Sequence, residues 1–218
     1  MTFKTDDYPT EWKEIAGFDQ KGLPKSALEK VVALHKKAMA ENNPAQIVKT
    51  LIYRARYTTQ MEEEGFVKAI NTLENEEKTA SFPTKSVLQS MLAEMYAGYL
   101  ENNVWRFRNR TTTVNFRQED IGTWDIERIN NESARFYRLS LSDERIKQVP
   151  LKTFNAVTLA NENGENTEGV KLRSTLFDFL AHRAFDFLLT KNRICRSPPT
   201  NLNWIRKTFF LKPRNSSI

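Results

Sequence analysis

The sequence predicts an all-α protein built from antiparallel helical hairpins stacked side by side, in the manner of tetratricopeptide-like or other α-solenoid repeats. Three observations predict it. Apolar residues recur at three and four residues over most of the first 190 positions, helix starts near 24, 44, 64 and 83 follow one another at about twenty residues with a proline at three of them, and the intervening segments are only a few residues long. The same spacing is compatible with a plain antiparallel bundle, because short connections between neighbouring helices write the same pattern. The expected organisation is an N-terminal extension over 1–7, a helical domain over 8–190, and a basic, disordered tail over 191–218.

The first element is a short amphipathic piece around Trp12, Ile15 and Phe18, broken by Gly22-Leu23-Pro24. Ser26-Ala-Leu-Glu29 then reads as a capping box, opening a helix with Ala27, Val31, Leu34 and Ala38 on one face. Asn42-Asn43 stops it, and Pro44 fits the first turn of the next helix, where its missing N–H costs nothing. That helix carries Ile47, Leu51, Ile52 and Ala55 on one side. A third pattern, Phe66, Ala69, Ile70 and Leu73, ends near Ser81, and Pro83 opens a fourth with Val87, Leu88, Met91, Leu92, Met95, Tyr96 and Tyr99. Starts near 24, 44, 64 and 83 give a hairpin period of about forty residues, within the range of helical repeats.

The texture changes at 104–117, VWRFRNRTTTVNFR, where Trp105 and Phe107 alternate with Arg106 and Arg108 before a run of threonines. This predicts an extended connector. Helical spacing resumes after Thr123 with Ile126, Ile129, Ser133, Phe136 and Tyr137. Pro150 separates a shorter piece with Phe154, Val157 and Leu159, NENGENTEG is a loop, and TLFDFLAHRAFDFLL is a last helix with Phe177, Leu180, Ala181, Ala184 and Leu188 facing a core.

Charge is distributed unevenly. The chain has a net charge of +6, yet Lys191, Arg193, Arg196, Arg206, Lys207, Lys212 and Arg214 lie in a tail without a single acid. Taking those seven from the 33 basic residues leaves 26 against 27 acidic, so positions 1–190 are nearly neutral and lack the footprint of a nucleic-acid binder. The lone Cys195 excludes an internal disulfide and, beside only His35 and His182, a cysteine-based zinc site. No run of eighteen apolar residues appears and the N-terminus MTFKTDDYPTEW carries acids and a proline where a secretory signal needs an apolar core, so the expectation is a chain that neither inserts into a membrane nor carries a secretory signal, and is cytoplasmic as written.

Asp178, His182 and Asp186 share a helix face at four-residue spacing, the sharpest candidate for proton transfer or metal binding. A metal needs three or four ligands and a general base needs a pocket partner, so an ion pair on the helix surface or at a helix-packing contact is the favoured reading. His35, flanked by Lys36 and Lys37, reads as a solvated or half-buried helix residue. Trp105, Arg106, Phe107, Arg108 and Arg110 could stack bases and hold phosphates, but one-sided burial of an extended segment is the favoured explanation, because fourteen residues in a near-neutral body give no groove-length positive track. Phosphate-cradling GxxxxGK[ST] and GxGxxG motifs and the GxSxG elbow are absent, while Asn109-Arg-Thr111 and Asn131-Glu-Ser133 match only the short glycosylation pattern. Catalytic, cofactor-binding and metal residues are therefore expected to be none, and the binding residues stay unassigned.

Five segments, EWKEIAGFDQKGLPKSALEKV, ENNPAQIVKTLIYRARYTTQ, LAEMYAGYLENNVWRFRNRTTT, TWDIERINNESARFYRLSLS and TLFDFLAHRAFDF, occur in this order between 5 and about 190. Together they resemble the helical N-terminal region of large bacterial alpha-2-macroglobulin-family proteins. The resemblance implies a fragment of a periplasmic or envelope-associated protease trap, whose full-length members present a bait region and in some cases a Cys-Gly-Glu-Gln thioester. Neither is matched here, since Cys195 is followed by Arg-Ser-Pro. The expected function is a non-enzymatic scaffold or interaction module whose partners are other domains of such a protein or a peptide. The alternatives are an independent tetratricopeptide-like adaptor and weak nucleic-acid binding through the tail. The resemblance stops where the composition changes, and codons permitted by the tail, read one frame over, regain acids and amphipathic spacing. The tail is accordingly expected to be an out-of-frame ending.

Overall fold

The computed structural model describes residues 3, 4, 6–107, 120–157 and 174–191. Over those residues the protein is all-α. Its helices are α1 (Pro9–Gln20), α2 (Pro24–Ala40), α3 (Pro44–Met61), α4 (Gly65–Thr79), α5 (Thr84–Phe107), α6 (Ile126–Ser140) and α7 (Leu176–Lys191). Short 3-10 turns at Ile121–Thr123, Glu144–Gln148 and Leu151–Phe154 complete it, and the only β pairing among the described residues is one bridge between Pro150 and Thr175. NENGENTEG, Leu159, Arg108, Arg110, Asn109-Arg-Thr111, Cys195 and the 192–218 part of the tail lie outside the described residues.

Local sequence sets the boundaries. Pro9, Pro24 and Pro44 each occupy the first helical turn, where a missing N–H breaks no hydrogen bond. Gly22 takes φ 69° after α1, with Gly22 N–H donating to the Asp19 carbonyl at 3.1 Å and Leu23 N–H to that of Phe18 at 3.0 Å. This is a Schellman turn. Asn42 does the same after α2 at φ 51°, with N–H groups of Asn42 and Asn43 donating to Met39 and Ala38. Asn43 then caps α3, its side chain accepting from the Gln46 N–H at 3.3 Å. The capping box expected at Ser26 is a correction: α2 begins two residues earlier on Pro24, the Leu23 carbonyl accepts the Ala27 N–H, and no side chain caps this end.

Each sequential pair among α1 to α5 packs together across a turn of a few residues, so neighbours run antiparallel. The 108–119 connection leads to α6, which also runs against α5: Glu94 meets Tyr137 and Tyr96 meets Phe136, whereas Tyr99 lies by Gly122 at the opposite end. The seven stripe positions expected on α5 are all buried, but burial does not stop at a stripe. From Thr84 to Leu100 every residue except Lys85 and Glu94 is buried, including Ser86, Gln89, Ser90, Ala93, Ala97 and Gly98. Small side chains let α3, α4, α6 and α7 approach α5 from several sides, making it the centre of the molecule. Tyr96 lies between Trp124 and Phe136 at centroid distances of 5.5 and 5.8 Å, stacked on both.

The connector expected from 104 is corrected at its start. Helix α5 continues to Phe107 across a kink at Asn103 (φ −121°, ψ 16°), where Asn102 and Asn103 donate from their side chains to the carbonyls of Gly98 and Tyr99. Residues two apart on a helix also point in nearly opposite directions, so Trp105 is 71% exposed while Phe107 is buried edge-on to Tyr99. The alternation was helical. Beyond α6, Ile146, Val149 and Phe154 enter the core, and the Leu151–Phe154 turn returns the chain to α3.

Candidate functional site

The Asp178, His182 and Asp186 face divides between two structural duties. Asp178 belongs to the start of α7: its Oδ2 accepts from the Thr175 N–H (3.0 Å) and hydroxyl (2.8 Å), while Thr175 Oγ1 accepts from the Asp178 N–H at 3.2 Å. That reciprocal arrangement is a capping box with Asp in the acidic position. His182 Nδ1 lies 3.0 Å from Asp186 Oδ2 on the exposed side of the helix. The three side chains do not converge on a pocket, and among the described residues no three His, Cys, Asp or Glu side chains form a metal-binding group.

His35 is the residue that sequence reasoning misplaced. It is buried at the meeting of α2, α3 and α4. Its Nδ1 is 2.8 Å from Thr50 Oγ1, whose own hydrogen is taken by the carbonyls of Gln46 and Ile47, both at 2.8 Å, so the ring N–H donates to the hydroxyl. Its Nε2 is 3.4 Å from Glu76 Oε2, and Arg54 Nη1 donates to the other oxygen of that carboxylate at 2.9 Å. The flanking lysines gave no hint of this, because both partners come from other helices.

The His35 contact first, and Arg54 with it, hold the Glu76 carboxyl below its ordinary value of 4.5 against the opposing effect of burial. A carboxyl held down in the fold contributes stability above the ordinary range, and that contribution disappears as pH falls through its folded value. Urea unfolding at a series of pH values is expected to show the wild type losing stability on acidification below about pH 5, with a shallower acid slope in Glu76→Gln. Parallel slopes would contradict the assignment.

A second, partly buried cluster joins α5, α6 and α7. The Tyr137 hydroxyl donates to Glu94 Oε2 at 2.6 Å, Arg183 Nη2 lies 3.5 Å from the same oxygen, and Arg183 Nε donates to Ser90 Oγ at 3.0 Å. Burial, then the Glu94 charge, push the Tyr137 hydroxyl well above its ordinary range, so it stays a donor. The Tyr96 hydroxyl donates to Glu74 at 2.6 Å in the same way between α5 and α4. These groups lock helices together. Two grooves lined by described residues, one beside Met39, Ile47 and Glu76 and one beside Leu51, Arg54 and Met91, enclose about 50 and 30 Å³, far below the several hundred Å³ of a small-molecule pocket.

The remaining feature is apolar. The outward side of α7 shows Phe185, Leu188 and Leu189 at 58, 59 and 56% exposure, whereas Leu176, Leu180, Ala184 and Phe187 are buried. Leu188, expected to face the core, is therefore corrected to the surface. Spacings of three and four residues place Phe185, Leu188 and Leu189 on one patch.

No family model, no curated protein and no solved structure matches the chain. No described helix is long and apolar enough to cross a membrane.

Proposed function

We propose that this chain is a non-enzymatic docking module, the helical N-terminal part of a bacterial alpha-2-macroglobulin-like protease inhibitor. The five segments that carry the resemblance contribute the buried faces of α1, α3, α5, α6 and α7, so the likeness concerns the residues that build the body. The observation that carries the docking reading is the outer face of α7. Three large apolar side chains in one patch at the end of a helical stack are what a surface covered by a further domain presents. Elsewhere among the described residues, the exposed large apolar side chains Leu23, Met39, Met61 and Trp105 are well separated in sequence.

The test is a pull-down of separately purified macroglobulin-type domains by the helical chain, run beside a protease-protection assay. The wild type is expected to capture a domain while giving no protection alone. Phe185→Ser/Leu188→Ser is expected to lose capture at least tenfold with an unchanged melting temperature, because exposed positions contribute little to folding. Capture by the double variant at the wild-type level, or none by the wild type, would overturn the reading.

A second reading, an independent tetratricopeptide-like adaptor that grips a peptide, is favoured by one observation. Phe3, Lys4 and Asp6–Tyr8 lie across two helical corners of this molecule, hydrogen-bonded to the α2–α3 corner and in ring contact with the α4–α5 corner.

A further inference from the structure

We infer that the surface joining the α2–α3 and α4–α5 corners is a binding track for a non-helical peptide, and that Phe3, Lys4 and Asp6–Tyr8 are its resident intramolecular ligand. Phe3, Lys4 and Asp6–Tyr8 make the contacts of a bound peptide and belong to no helix or strand. At the α4–α5 corner the Phe3 ring lies 6.5 Å from that of Phe82, on which the Arg145 guanidinium also rests at 4.2 Å. Lys4 Nζ then reaches Glu41 Oε2 at 2.7 Å, and the Asp6 carbonyl accepts from Asn43 Nδ2 at 2.9 Å. Tyr8 ends the track, buried to 2%, its hydroxyl donating to Glu41 and its ring under Lys37 Nζ at 4.5 Å. Aromatic anchor, charge pair, main-chain hydrogen bond and second aromatic anchor are the means by which helical grooves recognise extended segments.

The receptor side is set by the body rather than by the segment. Glu41 and Asn42 are placed by the Schellman turn that closes α2, and Asn43 by its own capping bond to α3. Asn43 thus reads the segment with its Nδ2 while its Oδ1 holds the helix start. Glu41 is held below its ordinary value by Lys4 first and Tyr8 second, and Tyr8 is pushed up to about 12 by burial and then by Glu41, so an ionised carboxylate faces two donors from the segment. The Lys4–Glu41 pair is exposed and contributes little, which makes the outer half of the segment exchangeable. A segment of another chain with an aromatic residue, a base next to it and a tyrosine four positions after that base fits the same track. Tethering gives the resident segment a millimolar effective concentration, so such a partner gains the track only when the segment is released.

The inference deepens the peptide-adaptor reading, and failure to capture macroglobulin-type domains leaves it standing. The experiment uses a fluorescent peptide of residues 1–10 as probe, read by anisotropy. It is expected to bind a chain starting at Pro9 at least tenfold more tightly than the full chain, and to raise the melting temperature of that shortened chain. Glu41→Lys in the shortened chain, which removes the acceptor of both Lys4 and the Tyr8 hydroxyl, is expected to weaken binding at least tenfold, and Tyr8→Ala in the peptide to do the same. Equal affinity for both chains, binding to neither, or unchanged affinity in both variants would overturn the inference. If the shortened chain does not fold, the full chain carrying Phe3→Ser/Lys4→Glu decides the matter: at least fivefold tighter probe binding than wild type is expected, and unchanged affinity would overturn the proposal.

Discussion

Leu92→Ala is expected to lower the free energy of unfolding by about 3 kcal/mol, within the 2–5 kcal/mol range for emptying a fully buried leucine site. Leu92 is fully buried on the helix that α3, α4, α6 and α7 surround. A cavity there is lined from several directions, and no single neighbour can move in without leaving another contact. The helix itself gains slightly from alanine, whose propensity is the best available, so the loss measures packing alone. Leu23→Ala is the control, since Leu23 is 46% exposed and its truncation is expected to fall within about 0.5 kcal/mol of the wild type. Urea unfolding followed by far-ultraviolet circular dichroism gives both values. A cost near 1 kcal/mol for Leu92→Ala would mean that α5 is not packed on all sides.

Gly65→Ala is expected to be comparably damaging for a different reason. A Cβ on Gly65 would stand 2.2 Å from the Thr58 carbonyl oxygen and 2.7 Å from the Thr59 Cα. Both are backbone atoms of α3, so relief requires separating the end of α3 from the start of α4. Overpacking of this kind costs about 1–3 kcal/mol and more where backbone must move. Gly22 offers the contrast: nothing lies within 4 Å of its would-be Cβ, and its φ of 69° is the whole constraint. Gly22→Ala is expected to cost about 1 kcal/mol, and Gly22→Asn less, because asparagine tolerates the left-handed region. Gly65→Asn is expected to be no better tolerated than Gly65→Ala. Thermal unfolding of the four variants tests the distinction, and equal behaviour at the two glycines would refute it.

Helix positions were legible because proline and asparagine act locally. Pro24, Pro44 and the Asn42-Asn43 pair set their boundaries through backbone groups within a turn of themselves, and the structure uses them so. What depended on remote partners was not legible. His35 read as solvated or half-buried beside Lys36 and Lys37, while its partners Thr50 and Glu76 stand 15 and 41 residues away. Helix α5 read as one-sided because a periodicity count sees Leu, Met and Tyr but not the serines, alanines and glycine that let neighbours approach its other faces. Helix α7 failed in the opposite sense. It is apolar nearly all round, so spacing alone could not tell the buried Phe187 from the exposed Leu188. At Trp105 and Phe107, the near-opposite direction of residues two apart on a helix imitated a strand.

Of the candidate groups, the sequence identified Asp178, His182 and Asp186 as neighbours, but not Thr175 as the partner that draws Asp178 into a cap. Phe3, Lys4 and Asp6–Tyr8 left no periodic signal, because their contacts run from a non-helical segment to corners 33 and more residues away. Charge and aromatic content there become informative only when Glu41, Asn43 and Phe82 are known to share a surface.

Native-state amide hydrogen exchange, resolved by residue, measures the central architectural claim most directly. Opening free energies follow burial, so helix α5 between Ser86 and Leu100 is expected to exchange most slowly, near the rate of global unfolding, with α1 among the first helices to open. Protection that peaks in α2 and α3 while α5 exchanges as fast as α1 would contradict a molecule built around that helix.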